Sequence, residues 1–420
     1  MKVSDVSELA RQLGAIVGEA HVRTPIGHES RAASLIVEPG NAEEVRELVR
    51  KGEADAITLA PLGAGRTLAQ MRATPVDIGI SLSRMNRVSA YEPDDMTVIA
   101  EAGLTLAALN ALTGTRAQRL PVDPPHADRI TLGALVAAAH AGPLRLSEGT
   151  VRDLLIGVRF AGHDARLIHG GGQVVKNVAG YDLMKVMTGS FGTLGIITET
   201  TFKVRPIPER YTLATASYAA DAAFAVASRL HDAMPLIHLE VVSGAVAKAL
   251  GYGEQARVLA GIAGNAQEVA FLIAQANAIM GAGCDLISEA PALAAYESLR
   301  DFETPAGSLC AQIAVAPANL ASCLQQCGAE YRAHAGSGVA QVFAPDFADA
   351  QGVRQTVARW REIAHRGRGH LRVLRVSDEV RDGISIFDTP AQGALALMRR
   401  LKTAFDPHGI FNPGCFVGGL

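Results

Sequence analysis

The chain has 420 residues, 49% of them apolar and 19% charged, a balance that supplies ample core and excludes disorder as the main state. Its 39 lysines and arginines stand against 42 acidic residues, a net charge of -3, and aromatics make up only 5%. Neither a basic field nor base-stacking platforms exist for a nucleic acid, and at ~100–200 residues per domain the length predicts two or three domains.

In chain order, residues 34–37 read as a short strand, and Glu38-Pro39-Gly40 follows it. Asn41 is then a preferred helix N-cap with Glu44 at the third helical position, and Val45, Leu48 and Val49 recur at helical spacing. Residues 56–60 read as the next strand, running straight into Pro61-Leu62-Gly63-Ala64-Gly65-Arg66-Thr67. Strands are predicted at 76–80 and 97–101, then a helix through Leu106, Leu109 and Leu112. Residues 130–142 are almost all small. Segments 154–160 and 165–169 read as a hairpin around Gly162-His163-Asp164, and a strand from about 196 ends near Val204, before Pro206 and Pro208 mark a boundary.

Beyond that boundary, strands at 211–217, 236–242, 257–262, 309–316 and 338–343 alternate with helices such as 221–232 and 266–280. This is the pattern of an α+β domain with a mostly antiparallel sheet. The tail carries a helix ending at Ala404-Phe405, then Asp406-Pro407 and Phe411-Asn412-Pro413-Gly414.

The five cysteines, Cys284, Cys310, Cys323, Cys327 and Cys415, are too sparse and irregular for a disulfide framework and fit a reducing, cytoplasmic compartment. Cys323 and Cys327 would share a helix face, but without a second ligand pair they read as buried small apolar residues, and no metal is expected. The first nine residues carry acids where a signal peptide needs its apolar run. The longest uncharged stretch, 304–329, is broken by Pro305 and Pro317, so direct membrane insertion is not expected and any membrane contact would come through a partner.

Three glycine-rich segments are candidates for chemistry. Gly63-Ala64-Gly65-Arg66-Thr67 offers main-chain N–H groups without obstructing Cβ atoms, a fixed positive charge and a hydroxyl, which suit a pyrophosphate. Leu68 stands where a nicotinamide fingerprint needs a third glycine, and no P-loop signature occurs. Thr131-Leu132-Gly133-Ala134 through Gly142 lets backbone pack on a flat ligand, or simply packs a helix on a sheet. Gly189-Ser190-Phe191-Gly192-Thr193-Leu194-Gly195 forms two sharp turns before a strand. Each alone also reads as an ordinary turn or packing contact.

Taken as an ordered set, these segments resemble the FAD-binding domain of the vanillyl-alcohol oxidase / p-cresol methylhydroxylase superfamily. The set includes Val37-Glu38-Pro39-Gly40-Asn41, Gly63 to Thr67, Asp123-Pro124-Pro125 and Thr131-Leu132-Gly133-Ala134. It continues with Gly149-Thr150-Val151-Arg152-Asp153, Gly192 to Glu199, and the terminal Asp406-Pro407 with Phe411-Asn412-Pro413-Gly414. Within that superfamily, Pro124-Pro125-His126, Ala141-Gly142-Pro143 and Gly171-Gly172-Gln173 through Leu183 resemble the smaller FAD-binding subunits of bacterial glycolate oxidases.

The resemblance implies an α+β fold: a two-subdomain FAD-binding domain of the p-cresol methylhydroxylase (PCMH) type over 1–206, an α+β cap domain over 207–385, and a segment 386–420 returning to the first domain. It implies an FAD-dependent subunit taking part in oxidation of glycolate to glyoxylate. Its partners would be a second FAD-binding subunit and an iron–sulfur subunit, with catalysis shared with or located in a partner. The alternatives are a self-sufficient FAD-dependent 2-hydroxy-acid dehydrogenase and a non-catalytic scaffold. By family position, Pro61, Leu62, Gly63, Ala64, Gly65, Arg66 and Thr67 hold the pyrophosphate. Asp123, Pro124, Pro125, Thr131, Leu132, Gly133, Ala134 and Gly142 line the cofactor, Ile196 and Ile197 meet its adenine side, and Asn412 approaches the isoalloxazine. No histidine lies in or beside the first loop, so the FAD is expected to be non-covalent.

One departure matters. Larger 2-hydroxy-acid dehydrogenases of the superfamily carry His-Ala-Gly-Asp-Gly-Asn-Leu-His, whose two histidines bind a metal. Here His334-Ala335-Gly336-Ser337-Gly338-Val339-Ala340-Gln341 keeps only the first histidine, which cannot make that site. His126 and His140 are the catalytic candidates, against a plainer role in packing. Lys176, Tyr181, Asp182 and Lys185 read as a polar cluster facing the cofactor or a partner subunit, or as a solvated face. Arg372 and Arg375, on a predicted strand, read as exposed arginines or as a carboxylate clamp.

Overall fold

The computed structural model describes residues 3–63, 75–172, 181–303, 309–344, 347, 349–377, 381 and 383–420. Its contacts divide the chain into two units, one of residues 1–140, 150–207 and 389–420, the other of 141–149 and 208–388. The short excursion 141–149 carries no composition change that would mark it in the sequence.

In the first unit, Asn41 caps the helix Ala42–Asp55. Its side-chain oxygen accepts the Glu44 N–H at 3.0 Å, while the Glu44 carboxylate takes the Gly40 N–H at 2.7 Å. The helix buries Val45, Leu48 and Val49. It ends at Ala56, whose left-handed φ of 53° turns its N–H back to Gly52. That turn keeps Ala56 and its neighbours out of the sheet, so the next strand begins at Leu59, three residues later than its composition predicts.

The strands of this unit are β1 Val22–Arg23, β2 Ala33–Val37, β3 Leu59–Leu62, β4 Val76–Ser81, β5 Val88–Glu92, β6 Thr97–Glu101, β7 Gln118–Arg119, β8 Leu155–Ala161, β9 Leu167–Gly171, β10 Ile196–Lys203 and β11 Arg205–Pro206. Among the described residues, β1-β2-β4-β3 form one sheet, in which β2, β4 and β3 run parallel. Pro61 is tolerated in β3 because that strand lies at the sheet edge. A second, antiparallel sheet has the order β5-β6-β10-β8-β9, with the predicted hairpin as β8 and β9. One apolar cluster spans both sheets, from Leu35 and Ile78 to Val158, Phe160 and Phe202.

The second unit holds β12 Arg210–Tyr218, β13 His238–Val242, β14 Ala256–Gly264, β15 Asp285–Ser288, β16 Leu309–Ala314, β17 Glu330–His334, β18 Val339–Ala344 and β19 His370–Arg375. Among the described residues they make one sheet of order β15-β12-β14-β13-β17-β18-β16-β19, antiparallel at every pair. Alternation along each strand divides its side chains between two faces. Ala214, Val258, Val241, Ala333 and Val342 join the helices Ala220–Ala233, Ala266–Met280, Pro317–Cys327 and Ala350–Arg366 in one core. Leu213, Leu259, Val242 and Phe343, on the opposite face, pack with Val246, Tyr296 and Leu299 in another.

Cys323 and Cys327 lie buried on the helix Pro317–Cys327, where burial raises both thiols, Cys327 to about 12. Arg372 and Arg375 are partly buried on β19 rather than exposed, paired in register with Gln312 and Cys310. Burial lowers the Arg372 pKa. Among the described residues, no helix is long and apolar enough to cross a membrane.

Candidate functional site

In the first unit, chain segments far apart in sequence are tied together by main-chain atoms. β3 is extended by the tail, with Leu59 N–H donating to Ile410 O (2.8 Å) and Asn412 N–H to Leu59 O (2.7 Å). Buried Asp406 holds the tail's bend by accepting the Ile410 and Phe411 N–H groups at 3.0 and 2.9 Å. Its charge is met by Lys402, which also donates to Thr193 O and Phe411 O, each at 2.8 Å. Burial lowers the Lys402 pKa, and the Asp406 bond opposes that shift. Asn412 is fully buried, and its side-chain amide donates to Phe191 O at 2.6 Å.

The loop 189–193 is thereby fixed from two sides, because Gly189 N–H and Phe191 N–H donate to Val136 O and Ala137 O of the helix Leu132–Ala137. Gly192 takes φ +68°, and a Cβ there would lie 2.4 Å from the Pro61 ring. At Gly63 a Cβ would lie 2.9 Å from Ala134 Cβ and 3.1 Å from Thr131 Oγ1. Thr131 caps its helix, and Leu132 and Gly133 donate to Leu104 O and Ala102 O. Ala102 in turn donates to Thr198 O, next to Ile196 and Ile197, both buried on β10.

Of the residues proposed for the cofactor, the structure therefore brings together Pro61, Leu62 and Gly63, Thr131 to Ala134, Ile196 and Ile197, and Asn412. Asp123 and Pro124 are buried and Pro125 half-buried in the loop leading to Thr131. Gly142 belongs to the second unit. Ala64, Gly65, Arg66 and Thr67 lie outside the described residues, as does Lys176. His126 and His140 are half-buried in the first unit, His126 at a left-handed φ of 57°. Tyr181 is 91% exposed, and Asp182 caps a short helix while pairing with Lys185, a solvated arrangement.

Two features suit this cradle to a large flat ligand. Glycines and alanines bring its segments to backbone distance, and Ser190 Oγ is buried there without a hydrogen-bond partner among the described residues. A buried hydroxyl left unpaired is costly, and a ligand oxygen or nitrogen would relieve it.

The second unit presents another cluster, which the sequence reading did not assemble. His238 and Glu240 share one face of β13, and Glu240 stands across from His334 of β17. The His334 Nδ1 lies 2.8 Å from each Glu240 carboxylate oxygen, with both residues buried. His238 Nε2 is 2.8 Å from the Tyr211 hydroxyl, and its ring stacks at 4.7 Å on Tyr296. Gly261 makes room for that ring, since a Cβ there would lie 2.3 Å from it. Burial, with the charge of His334 as a second cause, pushes His238 down to about 3, so it stays neutral. The alternation His238-Leu239-Glu240 was the available signal, because a strand places its first and third residues on one face. Among the described residues, no group of three or more His, Cys, Asp or Glu could hold a metal ion.

Residues 33–171 match the family described as FAD binding domain, and residues 390–415 match the C-terminal domain of FAD linked oxidases. The chain aligns over 97% of its length with a solved alkyldihydroxyacetonephosphate synthase, at TM-score 0.74 and 19% identity, covering 85% of that chain. It aligns over 98% of its length with substrate-bound p-cresol methylhydroxylase, at TM-score 0.73 and 15% identity, covering 97% of that chain. The protein is thus a flavoprotein whose first unit is an FAD-binding domain with the p-cresol methylhydroxylase fold, and its cofactor is FAD. Among curated proteins it is similar to glycolate oxidase subunit GlcE of Escherichia coli, 41% identical over 119 residues, 28% of this chain and 34% of that protein. It is also similar to the mitochondrial D-lactate dehydrogenase [cytochrome] of Arabidopsis thaliana, 29% identical over 197 residues, 46% of this chain and 34% of that protein. The chain thus spans about a third of the length of these two relatives.

Proposed function

We propose that this chain is an FAD-holding subunit of a glycolate oxidase complex, taking part in the FAD-linked oxidation of a small 2-hydroxy acid to its keto acid. The observation that carries this reading is the 41% identity to glycolate oxidase subunit GlcE over 119 residues, in a chain whose described glycine-rich segments meet through hydrogen bonds in the first unit. The proposed partners are a second FAD-binding subunit and an iron–sulfur subunit, in the cytoplasm, with any membrane contact made through the complex.

The residues fit the cofactor. Pro61 to Thr67 would hold the pyrophosphate, Asp123 to Pro125 and Thr131 to Ala134 would line its length, and Ile196 and Ile197 would meet the adenine side. The fully buried amide of Asn412 would act through the loop it fixes, at Phe191 O, and Ser190 Oγ would donate into the cradle. With no histidine beside Gly65, the flavin is held without a covalent bond. Bound FAD supplies a two-electron acceptor, and everything else is positioning by the chain.

The test is an anaerobic absorbance spectrum of the purified protein, alone and with its partners, before and after glycolate. Bound flavin that bleaches only with partners present is the expected result. A protein that takes up no FAD would sink the reading. A second reading, a dehydrogenase that needs no partner for substrate oxidation, is favoured by the Glu240–His334 pair and predicts bleaching of the isolated chain.

A further inference from the structure

Long helices of this chain are seated on buried rows, as Ala42–Asp55 is on Val45, Leu48 and Val49, and Ala350–Arg366 on Val353, Val357 and Trp360. Such seating, more than propensity, is what keeps a helix of this length formed. The helix Gln392–Phe405 of the first unit is different, because none of its residues is buried. One side of it is nevertheless held. A Cβ at Gly418 would lie 2.6 Å from Leu395, and the Phe405 ring stands 6.4 Å from that of Phe160. Lys402 bonds Asp406, Thr193 O and Phe411 O.

At about 100° per residue, Leu395, Met398, Lys402 and Phe405 form one row, and Leu397 and Arg400 point away from it. Leu397 is 57% exposed, and Arg399 and Arg400 are exposed near it. Phe271 is more exposed, but its helix already buries Val269, Leu272, Ala276 and Met280.

The charge on this side is uncompensated. No acid occurs from Thr389 to Phe405, and among the described residues Arg399 and Arg400 have neither an ion pair nor a hydrogen bond. Other exposed arginines of this unit are paired: Arg11 with Glu8, Arg50 with Glu47, Arg87 with Glu101 and Arg166 with Asp164. The helix dipole does not account for the two unpaired cations, since it favours charge in the last turn, where Lys402 already stands.

We propose that the outward side of this helix, Leu397 with Arg399 and Arg400, docks an acidic surface of another subunit. The proposal rests on the complex proposed above and gives that complex a contact face on this chain. Carboxylates of the partner would take the two guanidinium groups, and Leu397 would exclude water beside them. Charge selects this occupant. A second copy related by a two-fold axis would bring the same face against itself, arginine against arginine with no acid between them. A membrane surface needs a broad apolar stripe. Here Leu395 and Phe405 are turned into the chain, and Leu397 is the one large apolar side chain exposed on this helix.

The test measures association of the FAD-loaded full chain with each proposed partner subunit, at about 0.05 and 0.5 M salt. The double variant Arg399→Glu/Arg400→Glu should weaken association about tenfold or more at low salt, and much less at high salt. Arg399→Lys/Arg400→Lys should keep most of the affinity. Leu397→Gln, which preserves helix propensity, should weaken association about tenfold at both salts. All three should take up FAD and unfold thermally as the wild type does, because the substituted side chains are exposed. Charge-reversed and Leu397→Gln proteins that associate as tightly as the wild type overturn the proposal and leave the functional reading standing. So does a wild-type chain whose helix serves instead to bind phosphatidylserine vesicles or a second copy, with subunit association untouched by the variants. A wild-type chain that associates with neither subunit overturns the functional reading, and this proposal with it.

Discussion

In the first unit, the segments assigned to the cofactor meet through main-chain atoms: Leu59 with Ile410 and Asn412, Gly189 and Phe191 with Val136 and Ala137, Gly133 with Ala102. Side chains enter mainly as fasteners, Asp406 on two N–H groups and Asn412 on one carbonyl. In the second unit the polar groups of interest are side chains standing on a regular sheet, Glu240 against His334 and His238 against Tyr211. The difference follows from how each is built. A cradle for an extended cofactor needs close backbone approach and small residues, which tolerate little change in the path of the chain. A regular strand pair instead fixes side chains opposite one another, so an imidazole and a carboxylate can be buried against each other.

Breaking each kind of fastening should therefore cost different amounts. Asp406→Ala strands a buried ammonium and two N–H groups, and is expected to lower unfolding free energy by about 3–5 kcal/mol in urea titration, with loss of FAD. Glu240→Ala leaves one imidazole N–H unpaired and should cost about 1–3 kcal/mol, with FAD retained. Equal costs would mean that the tail is not the keystone of the cradle.

The second comparison is in acid. His238 is held near 3 in the folded protein against a reference of 6.5, so below pH 6.5 the unfolded chain binds a proton that the folded chain refuses. Its contribution to stability is nil above 6.5 and becomes more unfavourable as pH falls towards about 3. The slope is at most about 1.4 kcal/mol per pH unit. Unfolding midpoints measured from pH 7 to 4 should fall less steeply in His238→Phe than in the wild type. Parallel slopes would show that His238 is protonated in the folded state after all.

The sheet and helix framework was largely legible, because it rests on local signals: Asn41 and Glu44 at a cap, and alternation along β12 and β14. What was not legible had non-local causes. The shift of β3 to Leu59 depends on the left-handed turn at Ala56, which alanine does not advertise. β17, Glu-Tyr-Arg-Ala-His, reads as polar, and its Arg332 and His334 are buried because partners distant in sequence meet them: Arg300 O and Gln341 accept from Arg332, and Glu240 pairs with His334. The candidate cofactor segments could be picked out as an ordered set by family resemblance, but not how they meet, which depends on hydrogen bonds as distant in sequence as Leu59 with Ile410 and Asn412. The Glu240–His334 pair was passed over because the lost metal motif drew attention to what His334 lacks rather than to the strand facing it.

Glycines sharpen the contrast at smaller scale. Gly192 (φ +68°) and Gly251 (φ +85°) share the left-handed penalty of about 1–3 kcal/mol for a non-glycine residue. Only at Gly192 does a Cβ strike something, the Pro61 ring, whereas nothing lies within 4 Å at Gly251. Gly192→Ala should therefore lose more stability than Gly251→Ala, and it alone should raise the FAD dissociation constant.

The smallest effect is the most diagnostic for the cradle, because its sign should depend on the cofactor. Ser190 Oγ is buried without a partner among the described residues, so in the FAD-free protein Ser190→Ala removes an unpaired hydroxyl and should leave stability equal or higher by up to about 1 kcal/mol. With FAD bound, the same hydroxyl has a ligand atom to meet, and the variant should bind FAD more weakly. Thermal unfolding with and without saturating FAD reads both halves at once: the mutant should gain less from FAD than the wild type does. If the two proteins gain equally, the hydroxyl is not part of the cofactor site, and the convergence of the glycine-rich segments would have to be explained by chain packing alone.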